Sequence, residues 1–252
     1  MTIQHDNSIS HFISKLPKGR RFVVGDIHGC WQTFRILVEE TLKITPEDQL
    51  FLLGDYIDRG PDSGAVIDYI LKLQREGYQV YPLRGNHEKM LLEAIEEARD
   101  DLAFLSEYLQ LNETHGMTNE QGKIKAHYLE FIEALPYFYE LDDFVLVHAG
   151  FNWQIPNPFE DTESMVWIRI HEHNTTFLGN KRLIHGHTPT RWENIRDAIK
   201  EKEMVLPLDN GCVFAPLVRE YGLGRMGRLC AFDIDTFELI MEENKETKRI
   251  GE

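Results

Sequence analysis

Hydrophobic positions along the chain alternate between short continuous runs and one-sided stripes. Residues 21–24, 49–53 and 79–83 are β-branched and aromatic runs that end at glycine-bearing motifs, the pattern of strands buried on both faces. Between them, 31–41 and 63–75 read as helices. In the second, Val66, Ile67, Ile70, Leu71 and Leu73 form one apolar face. The stripe of Leu91, Leu92, Ile95, Leu102 and Leu105 predicts one long helix over about 88–111, followed by a polar loop at 112–122 and a helix at 124–135. Strands follow at 137–141 and 144–147, with Asp142-Asp143 as a tight hairpin between them. The last third is more β-rich, with runs at 182–184, 205–208, 228–232 and 237–241. No linker or internal repeat interrupts the chain, so 1–252 reads as one α/β domain, with flexible ends at about 1–18 and 242–252.

Polar chemistry collects where the apolar runs stop. Gly25-Asp26-Ile27-His28-Gly29 follows the first strand, Gly54-Asp55-Tyr56-Ile57-Asp58-Arg59-Gly60 the second, and Arg84-Gly85-Asn86-His87-Glu88 the third. Val147-His148-Ala149-Gly150 and His185-Gly186-His187-Thr188-Pro189 come later. The first three recur at a spacing of about 30 residues, one strand–helix–strand unit, which returns each motif to the same edge of a parallel sheet. Hard oxygen and imidazole donors gathered there suit two divalent metal ions beside phosphate-binding arginines. Asp26 and His28 can point to one side, Asp55 can bridge, Asn86 offers a neutral carbonyl oxygen, and His148 and His187 offer imidazoles.

Each motif alone is more readily a turn or a capping pair than a ligand set; five together reverse that balance. His185 reads as strand or supporting residue, His171 and His173 as a solvated segment, and Cys30 as a small buried residue. Other phosphate chemistries fail on spacing. Four residues, not five, separate Cys30 from Arg35, Gly116 to Lys123 is no P-loop, and Phe232-Asp233-Ile234-Asp235 comes late enough to be a strand and turn.

Composition adds constraints. A net charge of −15 argues against general affinity for nucleic acid or an anionic membrane, and makes bound metal the expected source of positive charge for an anionic substrate. Three cysteines suit a reducing compartment, and residues 1–10 lack an apolar signal core. No apolar run approaches a membrane span. The expectation is a cytoplasmic protein.

The motif order GDIHG, GDYIDRG, RGNHE, VHAG and HGHT resembles the serine/threonine phosphoprotein phosphatase branch of the calcineurin-like metallophosphoesterases, in the style of its bacterial and phage members. The resemblance runs from Val24 to Pro189. It implies a sandwich of two β-sheets flanked by helices, with a dinuclear metal site at the strand carboxyl ends. It further implies that Asp26, His28 and Asp55 hold one metal, and Asp55, Asn86, His148 and His187 the other, with manganese expected and iron or zinc also admitted by the donor set. His87 would be the general acid, oriented by Asp58, and a metal-bridging hydroxide would attack phosphorus in line. Arg59, Arg84 and Arg169 would bind phosphate oxygens.

Three functions follow from the resemblance. The first, which Asp58 and Arg84 favour, is hydrolysis of phosphoserine and phosphothreonine in proteins, with some activity on phosphotyrosine or small phosphoesters. The second is hydrolysis of dinucleoside polyphosphates such as diadenosine tetraphosphate, whose enzymes typically carry alanine at the place of Asp58 and no arginine at that of Arg84. The third, a non-catalytic metal-binding scaffold, would be expected to have lost a site residue. Specificity is expected in 102–122 and 213–227; the latter contains Arg219, Tyr221 and Arg225, with Arg228 just beyond it.

Overall fold

The computed structural model describes residues 9–169, 174–222 and 224–246. The chain runs β1 (Ser10–Phe12), β2 (Arg21–Val24), α1 (Trp31–Ile36), β3 (Gln49–Leu52), α2 (Ser63–Arg75), β4 (Gln79–Pro82), α3 (Asn86–Ala98), α4 (Leu102–Leu111) and α5 (Ala126–Glu133). It continues through β5 (Phe138–Glu140), β6 (Phe144–Val147), α6 (Thr162–Trp167), α7 (Thr175–Leu178), β7 (Arg182–His185), α8 (Trp192–Glu201), β8 (Val205–Pro207), α9 (Ala215–Glu220), β9 (Arg228–Asp233) and β10 (Glu238–Glu243).

These strands form two five-stranded sheets, in the orders β1-β5-β6-β7-β8 and β10-β9-β2-β3-β4. β2, β3 and β4 are parallel, as are β6, β7 and β8, so the functional motifs emerge at strand carboxyl ends. Strand alternation divides the core. Val23, Phe51, Leu146, Ile184 and Phe232 fill the space between the sheets. Phe22, Val24, Leu50 and Leu52, one residue out of phase, face α1, α2 and α5. On the far side of the other sheet, Val145, Val147 and Leu183 pack with Phe151, Phe159 and Met165. Because both faces of β2, β3 and β6 are covered, every residue in them is buried, which is why they read as unbroken apolar runs.

The expected long helix is two helices. Arg99 takes a left-handed backbone (φ 52°), and Asp101 caps α4 by accepting from the N–H groups of Ala103 and Phe104. An apolar stripe that continues in phase across the break hides it. The helix predicted at 31–41 begins as α1 and widens into a π-helical turn at Leu37–Leu42. In the β-rich last third, α8 and α9 were not anticipated.

The ends that are described are fixed. β1 pairs with β5, the Ile13 N–H donates to Glu140, and the Leu16 N–H donates to Gln49. At the other end β10 reaches Glu243, the buried Asn244 amide donates to the Cys212 carbonyl, and Glu246 accepts from the Thr33 N–H and hydroxyl. Long-range partners, invisible to composition, hold segments that polarity alone marks as loose. The His171 and His173 reading lies outside the described residues. No helix among the described residues is long and apolar enough to cross a membrane.

Phe232 contacts Phe144 and Phe237 between the sheets. Phe232→Ala should therefore cost about 3–5 kcal/mol by urea denaturation. Asp101→Ala, which removes only a cap, should cost about 1 kcal/mol. The reverse ranking would contradict this placement of the core.

Candidate metal centre

Both sheets deliver donors to one place. Asp26 and His28 follow β2, Asp55 follows β3, and Asn86 and His87 open α3 after β4; His148 follows β6 and His187 follows β7. All seven are buried, the most accessible being His187 at 8%. The turns are sharp. His28, Asp55, Asp58, Arg59 and His187 have φ between 46° and 70°, an uncommon region for residues with a Cβ. Two glycines allow the closest approaches. A Cβ on Gly85 would lie 2.1 Å from Asp55 Oδ1, and one on Gly186 would lie 2.1 Å from Asp26 Oδ1.

Neighbouring backbone holds these turns. The Ile27 and His28 N–H groups donate to the Asp55 carbonyl at 3.1 and 2.8 Å. Glu88, fully buried in α3, accepts from the N–H groups of Asp55, Tyr56 and Gly85 at 2.8–2.9 Å. The His187 N–H donates to the Asp26 carboxylate at 3.0 Å, tying one sheet to the other.

At the centre, lone pairs face lone pairs. His28 Nδ1 lies 2.8 Å from the Ile57 carbonyl and His148 Nδ1 lies 2.9 Å from that of Leu53, so each Nδ1 carries the proton. Their Nε2 atoms are then bare. His148 Nε2 points at Asn86 Oδ1 from 2.9 Å and at Asp55 Oδ1 from 3.5 Å. His28 Nε2 lies 3.4 Å from Asp55 Oδ2. His187 Nδ1 approaches the same Asn86 oxygen to 2.9 Å, and its Nε2 has no partner. Acceptors that converge in a buried place are stable only around a cation, so this donor set fits metal ions. Two groups bring donor atoms within 4.8 Å of one another: His28, Asp55 and His87, and Asp55, His148 and His187. Asp55 belongs to both, with one oxygen toward each. Arg59 acts as a stand-in cation, its guanidinium 2.7 Å from His28 Nε2.

Charge state follows from burial. Burial holds His28 and His187 down to about 3, against the pull of Asp55, and lowers His148 too. Asp55 is buried as well, yet the three surrounding imidazoles His148, His87 and His28 push its carboxyl below the usual range. Asp26 is raised by burial and by the nearby Asp209 and Asp55. His87 behaves differently. Burial lowers it, but its bond to Asp58 and the charge of Asp55 outweigh that and raise it. Its Nδ1 sits 2.6 Å from Asp58 Oδ2, while Nε2 is buried without a partner.

The predicted arginines separate. Arg59 lines a cleft of about 740 Å³ that opens beside Asn86 and His87. Arg169 donates to the Thr188 hydroxyl, next to His187. Arg84 does not join them. Its guanidinium donates to the carbonyls of Ile132 and Glu133 at the end of α5 and to the Tyr137 hydroxyl, and it lies over the Tyr137 ring. Four unpaired carbonyls at a helix end attract a cation, and sequence spacing could not reveal that competitor. His185 ends β7, where its ring meets the Gly186 carbonyl, and Cys30 is buried. The expected specificity segments do border the cleft, through Leu111, Asn112 and Glu113 on one side and Phe214, Leu217 and Glu220 on the other. Arg219, Arg225 and Arg228 instead pair locally, with the Asn244 carbonyl, Glu193 and Glu243.

Two site residues escaped sequence reasoning. Asp209, just past β8, is buried, its carboxylate accepts from the Gly211 N–H at 2.6 Å, and burial raises it to about 7. Asp209-Asn210-Gly211 repeats the signature of an acid and a glycine at a strand end that marked the other motifs. Glu88 lies inside a recognised motif, but its role as a backbone clamp depends on a turn more than 30 residues away.

Chain comparisons agree with this geometry. Residues 19–221 match the model of the family described as calcineurin-like phosphoesterase. A symmetrical bis(5'-nucleosyl)-tetraphosphatase of Nitrosomonas europaea is 26% identical over 69% of this chain and 60% of its own length, so the match spans under two thirds of that relative. Serine/threonine-protein phosphatase 1 of Salmonella typhimurium is 30% identical over 68% of this chain and 79% of its own. The crystal structure of a candidate diadenosine tetraphosphatase superposes with a TM-score of 0.63 at 20% identity, covering 95% of this chain and all of the other.

The buried acids dictate a metal-dependent stability profile. Glu88 and Asp209 are raised to about 7, mainly by burial, so their folded-state contribution is lost as pH rises from the ordinary carboxylate range through 7. The lowered histidines contribute above 6.5 and lose that contribution only as pH falls toward 3. From 6.5 upward these acids, together with Asp26 and His87, which are also raised in the folded state, all act in one direction, so metal-free protein should lose thermal stability between pH 6.5 and about 8. Saturating manganese should remove that decline. A metal-free melting temperature that rises across this window would contradict the charge assignment.

Proposed function

This chain belongs to the calcineurin-like phosphoesterase family, and we propose that it is a hydrolase that cleaves dinucleoside polyphosphates of the diadenosine tetraphosphate class. The observation that carries this reading is the position of Arg84. A third guanidinium beside Arg59 and Arg169 would close round a terminal phosphoryl dianion, as a monoester needs; tied to the end of α5, Arg84 leaves room for a phosphate substituted on both sides. Similarity to bis(5'-nucleosyl)-tetraphosphatases supports the same substrate class.

In this reading Asp26, His28 and Asp55 would hold one divalent ion, and Asp55, Asn86, His148 and His187 would hold the second. Bound there, such ions would supply Lewis-acid polarisation of phosphoryl oxygens and a more acidic water. The chain's own residues do the remainder. Arg59 and Arg169 donate to phosphate oxygens and fix the group in orientation. His87, held through Nδ1 by Asp58, presents Nε2 to the leaving oxygen and gives it a proton. Trp167, Leu111, Phe214 and Leu217 form the apolar part of the cleft lining, beside the polar Asn112, Glu113 and Glu220.

A second reading, hydrolysis of phosphoserine and phosphothreonine in proteins, is favoured by one observation. The Asp58–His87 pair is intact at 2.6 Å, and a strong acid matters most for a poor alkoxide leaving group. Similarity to the Salmonella phosphatase supports it as well. With manganese at one pH, kcat/KM for diadenosine tetraphosphate should exceed that for a phosphoserine peptide by at least about 10-fold, about 1.4 kcal/mol of transition-state binding. A preference for the peptide moves the assignment to the second reading.

A further inference from the structure

Asp58 is fully enclosed, and its two carboxylate oxygens have separate partners. Oδ2 meets His87 Nδ1 at 2.6 Å, and Oδ1 accepts from the hydroxyl of Thr114. Thr114 belongs to none of the strand-end motifs. It lies just past α4, in a segment docked on the Asp58 turn at three points. The Arg59 N–H donates to the Asn112 carbonyl at 2.9 Å, the Gly64 N–H donates to that of His115 at 3.1 Å, and the third point is the Thr114 hydroxyl itself. Residues immediately before it, Leu111, Asn112 and Glu113, line the cleft.

We propose that Thr114 is a positioning residue for proton donation by His87: its hydroxyl fixes the Asp58 carboxylate so that Oδ2 holds Nδ1–H and the imidazole presents Nε2 to the cleft. A carboxyl oxygen left without a partner in a sealed place is costly, so the Asp58 side chain would rotate to find another. Turning Oδ2 away frees the imidazole from its single orientation. The three-point docking extends this control to the cleft wall, because the segment that borders a leaving group also sets the geometry of its proton donor. This inference rests on the reading of His87 as the acid of a phosphoryl-transfer site.

Thr114→Val keeps the side-chain shape and removes the hydroxyl; Thr114→Ser keeps the hydroxyl. The first readout needs no substrate. In long-range proton–nitrogen spectra of protein labelled in histidine, recorded at a pH where His87 is neutral (the state left once the imidazolium has given its Nε2 proton) and assigned by comparison with His87→Asn, wild type and Thr114→Ser should show one Nδ1-protonated imidazole. Thr114→Val should show exchange between tautomers. The second readout is kcat on phenyl phosphate and p-nitrophenyl phosphate with manganese. Thr114→Val should lose about 10-fold more on phenyl phosphate, whose leaving group needs the proton, at similar KM, and Thr114→Ser should recover it. A His87 spectrum and a substrate ratio in Thr114→Val identical to wild type would overturn the proposal. Failure of wild type on both esters would speak only to whether the site accepts monoesters, and the spectrum would still decide the role of Thr114.

Discussion

A buried carboxylate set between bare imidazole nitrogens is the constraint on which the rest of this structure depends. Asp55 directs one oxygen toward His28 and the other toward His148, and both rings are turned inward because backbone carbonyls hold their outer nitrogens. Asn86 adds an oxygen aimed at two of the same rings. Such a crowd of acceptors is unfavourable without positive charge, and Arg59 supplies only part of it. The fold tolerates the arrangement because every strand that carries a donor ends at this point. Glu88 also locks the Asp55 turn to α3 through three backbone N–H groups.

This constraint explains why the site was more legible than the fold around it. Asp26, His28, Asp55, Asn86, His148 and His187 each sit where an apolar run stops at a glycine, a local signal that survives without tertiary information. The parallel pairing of β2, β3 and β4 follows from the same spacing. What stayed hidden was non-local. Arg84 carries the right chemistry at the right motif, but the carbonyls of α5, nearly fifty residues on, compete for it. The break before α4 was masked by leucines that keep helical phase across it. The charged end at 242–246 looked loose because its partners, Cys212 and Thr33, lie far away in sequence.

The division of labour within the site bears on substrate choice. Its metal-ligand candidates come from strand ends of both sheets, and all of them are buried. The cleft that would receive a leaving group is built from connecting segments: the end of α4 with the residues after it, and α9 with those before it. One chemistry can therefore serve different substrates through changes confined to those segments. The acidity of the chain as a whole suits an anionic substrate only if cations bound at the centre supply positive charge there, where a low dielectric would strengthen it.

The most direct measurement is anomalous scattering from crystals of the manganese-loaded protein, collected on either side of the manganese absorption edge. Two peaks should appear, one on each side of the Asp55 carboxylate, the first against His28 and the second among Asn86, His148 and His187. A single peak, or density that Asp55 does not touch, would contradict the central claim that this carboxylate joins two cation sites.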